Sequence, residues 1–507
     1  MALQRPQLDC SSPRTPAVVR PRTSWPVWLP GPRHALRHAV LTACRPRWAV
    51  ATGGGREVAC AASSATLSPG AEPFPDGGSA AHTYPRLAPV LDLAPSLTAV
   101  DAVLALALGA AAAAALWLAR RVLGMSSSSP AAKLLACVFG LAVAWAWRGY
   151  VLERAHSAAS LTPQEAADDD SLFKHVSGLD VHYKLSQSKK PGPLMGLLHG
   201  FGSSEGSWSL HRLLDSLTDR LGGLALAPDM PGFGLTQRSR HVRDYSLANA
   251  ASATAQLLNT VAEERNVAPD APRLLVGHSL GALVAVRAAA TLGGSARVAG
   301  LVLVAPAILA QGGNGQPPRQ HNTVAVVARA VGKAALLLPL SLVAPVISFF
   351  VLPVLRSAVR NINFWRSGLR GAFVAKHLVT TRLVDMYRRP ACVRDWDIGM
   401  LRFVASRVSP GGPLDVLREA AAAVRHPHSA HQLPGSVALS ELARAGVRVL
   451  IVHGDQDALV PVTNSVRLAR QVANAQLVVI PQCGHNPQEE QPDALLQAVT
   501  RWWAEGA

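Results

Sequence analysis

The stretch Leu274-Leu-Val-Gly-His-Ser-Leu-Gly-Ala-Leu-Val-Ala-Val286 joins an apolar run to an alanine-rich one, with Ser279 held between Gly277 and Gly281. Read as a buried strand followed by a helix over Ala282 to Thr291, it puts Ser279 on a sharp turn. The two glycines then remove side chains that would collide there. The pattern alone is weak, because Gly, Ala and Ser are abundant in this chain. A free serine is also a poor nucleophile and needs a base within hydrogen-bond reach. The reading therefore depends on what the flanking sequence supplies.

Similar apolar runs recur on both sides. Phe173 to Leu185 alternates around Ser177-Gly178 and predicts a hairpin. Leu194–Leu198 and Leu224–Pro228 each end in a Gly-rich or Gly/Pro loop, and three more runs, Val298–Val304, Val447–His453 and Ala475–Ile480, follow. Short apolar strands alternating with amphipathic segments predict an α/β fold, a mostly parallel sheet with helices on both faces. In such a sheet, functional residues gather at the carboxyl ends of the strands. His485 follows the last strand and could serve Ser279 as its base; Asp457 follows the penultimate one and could orient the histidine, with Asp455 a nearby competitor. The backbone amides of Phe201 and Leu280 are candidates for holding a developing oxyanion. Gly200 and Gly202 keep the first of these loops open, and His199 and His278 read as packing or hydrogen-bonding residues.

Five motifs in order carry a family resemblance: His199-Gly-Phe-Gly202, Asp229-Met-Pro-Gly-Phe-Gly234, Gly277-x-Ser279-x-Gly281, Gly454-x-x-Asp457 and Gly484-His485. From about Leu172 to Trp503 the chain resembles an α/β-hydrolase fold enzyme. The resemblance implies a Ser279, Asp457, His485 triad with Phe201 and Leu280 as the oxyanion hole, and its Gly-x-x-Asp spacing favours Asp457 over Asp455. Thr236 stands where many members carry serine, a small departure. Serine at 279, in place of aspartate, speaks against the epoxide hydrolase and haloalkane dehalogenase branches.

The rest of the chain has a different character. Met1 to Thr52 carries eight arginines against one acid, Asp9, and shows no persistent period. Residues 1–95 thus read as an organellar transit peptide, chloroplast favoured over mitochondrion, or as a disordered tail. Two apolar runs follow within 98–150. Ala102 to Ala119 is uncharged and would extend about 27 Å at about 1.5 Å per residue. The second, Leu134 to Trp147, is shorter and ends on Trp145 and Trp147. They predict one or two membrane helices, with a pair of soluble helices as the alternative. Six scattered cysteines, without paired spacing, exclude a disulfide scaffold or zinc knuckle. The net charge of +17 comes without lysine clusters, so no nucleic-acid partner is expected. His426, His428 and His431 lack a nearby carboxylate or cysteine; no metal and no other cofactor is expected.

Between the core segments 172–310 and 444–507 lies an insert, 311–443, where the resemblance places a lid or cap after the sixth strand. Its run Ala334 to Leu355 is long enough to span a bilayer. A single crossing would put Ser279 on one side and Asp457 and His485 on the other, and Pro339, Pro345 and Pro353 interrupt the helix. Gln311 to Arg394 holds twelve Lys or Arg and one acid, Asp385, which suits an anionic membrane surface. The expected function is a membrane-anchored serine hydrolase cleaving a lipophilic acyl ester. Acyltransferase, C–C bond hydrolase, haloperoxidase-like enzyme and non-catalytic membrane scaffold are the alternatives.

Overall fold

The computed structural model describes residues 99–124, 129–293, 298–310, 352, 354–356, 358–359, 361–408 and 435–506. The N-terminal segment 1–95, most of the apolar run 334–355 and the histidines at 426, 428 and 431 lie outside the described residues.

Eight strands form one sheet. β1 (Leu172–Val176) and β2 (Leu179–Gln187) make the hairpin expected at Ser177-Gly178, where both residues take positive φ. β2 runs antiparallel to β4 (Leu224–Pro228), and β3 (Leu194–Leu198), β5 (Arg273–His278), β6 (Val298–Val304), β7 (Arg448–Gly454) and β8 (Ala475–Ile480) continue in parallel. The spatial order is β1-β2-β4-β3-β5-β6-β7-β8.

Alternation along each strand divides the core. Leu194, Leu198, Leu226, Leu275, Leu301, Leu303, Val449 and Ile451 pack on one face, and Met195, Leu197, Ala227, Leu274, Val276, Val302, Val304 and Leu450 on the other. A strand buried on both faces has to be apolar at every position, which is why these runs lack a polar period. Among the described residues the helices of eight or more residues are, in chain order, α1 (Ala99–Val122), α2 (Pro130–Ala159), α3 (Leu213–Leu221), α4 (Leu247–Glu264), α5 (Leu280–Leu292), α6 (Ile362–Ala372), α7 (Thr381–Arg388), α8 (Trp396–Val408), α9 (Gly435–Arg444), α10 (Val462–Gln471) and α11 (Pro492–Ala504). α4, α5, α9 and α10 contribute to the first face, and α3 and α11 to the second. Alanines do much of this packing: Ala282, Ala285, Ala288 and Ala289 of α5 are fully buried, and their small size lets the helix lie close to the sheet.

The insert between β6 and β7 contributes α6 to α9. The acidic segment before β1 is bound to it: Leu161 N–H donates to Cys392 O at 2.8 Å, Arg394 N–H to Leu161 O at 3.0 Å, and Arg389 Nη1 to Asp168 Oδ2 at 2.8 Å. In the fold this segment is a strap across the insert. Within α2, Pro130–Val151 is long and apolar enough to cross a membrane, and 6% of that window is buried. Leu134, Val138 and Leu141 lie exposed along it.

Leu450, on a strand paired on both sides, has no exposed surface. Leu450→Ala is expected to lower stability by about 2–5 kcal/mol, read as a fall in the urea midpoint with an unchanged slope.

Candidate active site

Ser279 follows β5 and precedes α5 with φ 52° and ψ −113°, a conformation that side chains rarely adopt. Neighbouring backbone makes the turn tight. A Cβ on Gly277 would stand 2.5 Å from Gly281 O, and one on Gly281 would stand 2.4 Å from Leu198 O. The Ser279 N–H donates to Val304 O at 2.9 Å, and its carbonyl accepts from Ala307 N–H at 3.1 Å. β3, β5 and β6 thus all hold the elbow.

The loops after β7 and β8 reach the same edge. Ser279 Oγ lies 3.1 Å from His485 Nε2, and His485 Nδ1 lies 2.7 Å from Asp457 Oδ2. Asp457 Oδ1 accepts the N–H groups of Leu459 (2.8 Å) and Val460 (2.9 Å). Burial alone would push this carboxyl up, but hydrogen bonds from His453 and His485 hold it well below the usual carboxylate range. His453 is a member that sequence reasoning missed. Its Nε2 lies 3.0 Å from Asp457 Oδ2 and 2.9 Å from Val460 O, while Nδ1 lies 2.7 Å from Ser465 Oγ. Its only sequence signal is its place at the end of an apolar strand, four residues before the acid. The competitor Asp455 is exposed and accepts from Cys483 N–H at 3.3 Å.

The loop after β3 is held by buried polar groups. His199 Nδ1 donates to Gly200 O at 2.8 Å, and its Nε2 accepts from Met230 N–H at 3.0 Å. Asp229 accepts from His182 Nδ1 (2.6 Å), Glu205 N–H (2.7 Å) and Leu235 N–H (2.7 Å). Its carboxyl occupies the space that a Cβ on Gly234 would need, at 1.8 Å. Thr236 Oγ donates to Asp229 O at 2.7 Å and accepts from His182 N–H at 3.0 Å, so threonine supplies the hydroxyl this loop uses. Gly202 has φ +72° and Phe201 is largely exposed. Leu280 opens α5, where the first N–H groups have no acceptor within the helix.

His278 is engaged with the backbone of His485. Its Nε2 lies 2.9 Å from His485 O, and the two rings are 5.0 Å apart. Burial, with His485 beside it, pushes the imidazole down to about 3, so it is neutral and donates through Nε2. Beyond His485, Glu489 accepts from Tyr387 OH (2.8 Å) and Ser207 Oγ (2.7 Å), and burial raises its carboxyl above the ordinary value. Glu490 accepts from Gly484 N–H at 2.7 Å and from Val374 and Ala375 N–H at 2.8 and 2.6 Å. That carboxylate is thus committed to three backbone amides.

The lowered Asp457 carboxyl has a sign that can be tested. A group that holds its proton less tightly when folded contributes stability above its unfolded value, about 3.9, and loses it as pH falls through the folded one. Asp457→Asn should cost about 1–3 kcal/mol at pH 7, with the gap to wild type narrowing below about pH 4. Urea unfolding at a series of pH values reads this; a gap that stays constant would exclude the carboxylate charge as its source.

Comparison with known proteins places this geometry. The alpha/beta hydrolase family model matches residues 197–498, more than half of the 507 residues. A 2-hydroxymuconate semialdehyde hydrolase from Pseudomonas putida is 30% identical over 125 residues, 24% of this chain. The chain spans 42% of that relative's length. Among solved structures, a meta-cleavage product hydrolase from Pseudomonas fluorescens IP01 is 19% identical, with 66% of this chain and 98% of that one covered and a TM-score of 0.42. A 2-hydroxy-6-oxo-6-phenylhexa-2,4-dienoate hydrolase from Rhodococcus sp. strain RHA1 is 18% identical, with 66% and 99% covered and a TM-score of 0.42. With a family match across most of the core and eight strands in one mostly parallel sheet, the chain belongs to the alpha/beta hydrolase family.

Proposed function

We propose that the protein is a membrane-attached serine hydrolase that cleaves a lipophilic acyl ester. One observation carries the reading: the continuous relay from Ser279 Oγ through His485 to Asp457, at 3.1 and 2.7 Å, on a positive-φ elbow. Ser279 attacks the ester carbonyl while His485 takes its proton through Nε2. Asp457 holds the other ring nitrogen as the donor and stabilises the imidazolium. The Phe201 and Leu280 amides receive the oxyanion. His485 returns its proton to the leaving alcohol, and water releases the acid by the reverse sequence.

The lipophilic substrate is supported by the surroundings. Phe201 of the oxyanion loop, Phe233 and Phe403 of α8 meet edge-on or tilted, with centroids 4.6 to 5.7 Å apart. A small cavity of about 20 Å³ next to them is lined by Phe233, Trp396 and Met400 together with Ser203, Arg238 and Tyr387. A wider groove of about 550 Å³ runs between Leu141, Ala144 and Trp145 of α2 and Val354 and Ala358 of the insert. In this reading α2, with or without α1, sits in an organellar membrane, chloroplast favoured, and the basic, apolar insert covers the cleft as a lid at the bilayer surface.

A second reading, C–C bond hydrolysis with the same residues, is favoured by the semialdehyde hydrolase similarity. A panel of acyl esters and vinylogous diketones separates the two. Ser279→Ala should abolish labelling of the protein by a fluorophosphonate probe, and labelling that persisted would remove Ser279 from the nucleophile role. The full chain should stay with the membrane pellet in alkaline carbonate; release into the supernatant would contradict membrane insertion.

A further inference from the structure

The main chain of His485 is held from two sides. Its N–H donates to Ala372 O at 2.8 Å, and its carbonyl accepts from His278 Nε2 at 2.9 Å. Ala372 is the last residue of α6 in the insert, and His278 ends β5 beside the nucleophile. Glu490 secures the insert side. One carboxylate oxygen binds Gly484 N–H, directly before His485; the other binds Val374 and Ala375 N–H, just after α6 ends. The contact is close enough to dictate a glycine. A Cβ on Gly484 would stand 2.1 Å from Ala372 O and 3.0 Å from Glu490 Oε2. Gly484, His485 and Glu490 are thus all shaped to a turn more than one hundred residues earlier in the chain.

We propose that Glu490 is a positioning residue that fastens the 372–375 turn of the insert to the histidine loop, so that His485 reaches Ser279 only while that turn is docked, with His278 as the opposing hold. This rests on Ser279 and His485 being nucleophile and base. A carboxylate offers acceptors to both sides at once. An amide offers one oxygen, and its NH2 faces backbone N–H groups on the other side, so one attachment is lost. The insert then takes part in catalysis as well as in substrate recognition, because displacing its turn moves the base.

The test uses the full chain and the rate at which a fluorophosphonate labels Ser279, normalised to the end-point stoichiometry of labelled sites. Glu490→Gln should lower that rate per site by about 10- to 100-fold, the loss expected from misplacing a catalytic group by about 1 Å, with the stoichiometry little changed. His278→Phe, which keeps the ring and removes the donor, should fall in the same direction. His278→Gln, whose side-chain N–H can reach the same carbonyl, should recover most of the rate. A Glu490→Gln protein that melts earlier but labels at the wild-type rate per site would overturn the proposal. Should that variant not fold, equal rates for His278→Phe and wild type overturn it instead. Failure of the wild-type chain to label would refute the serine hydrolase reading underneath, a separate outcome.

Discussion

A serine held at φ 52° between a strand and a helix is the constraint around which the rest of the molecule is arranged. Such a conformation costs on the order of 1–3 kcal/mol and persists only where surrounding structure over-determines it. Here that structure is backbone. Gly281 lies against the carbonyls of Leu198 and His199, Gly277 lies against the first turn of α5, and Val304 O accepts the serine N–H. The close approach of β3, β5 and α5 forces the elbow, and the buried alanines of α5 make that approach possible.

Around the elbow, buried carboxylates do most of the positioning. Asp229 ties three segments beneath the first loop, Asp457 sits between two histidines, and Glu489 and Glu490 join the histidine loop to the insert. Each has several donors. A buried carboxylate with fewer would pay a large desolvation penalty, and with these it fixes several segments relative to one another. The insert consequently makes two kinds of contact. Its turn at 372–375 is bound to the loop that carries His485, whereas α8 brings Phe403 against Phe201 and Phe233.

How much of this could be read from the sequence differs from residue to residue. The elbow, the acid and the histidine are marked by short local patterns at strand ends, and the structure brings those residues within hydrogen-bond distance. Asp457 could be separated from Asp455 only through the family's spacing; in three dimensions two residues along a turning loop leave one carboxylate inside and the other in solvent. The one local signal of His453 was ambiguous, because a histidine ending an apolar strand looks the same whether it packs or donates to an acid. The segment before β1 shows its acids in the sequence, but their partners, Lys184 and Arg389, lie on other elements of the fold.

By itself the sequence determined the α/β architecture, the strand ends and the glycine-flanked serine turn, since strand periodicity and glycine steric demands act between near neighbours. Only the tertiary structure decided that Glu490 serves the insert, that His278 holds the backbone of His485 and that Tyr387 meets Glu489. Those contacts join residues roughly a hundred or more positions apart. Their partners are chosen by how the helices pack over the sheet, and no local pattern records that choice.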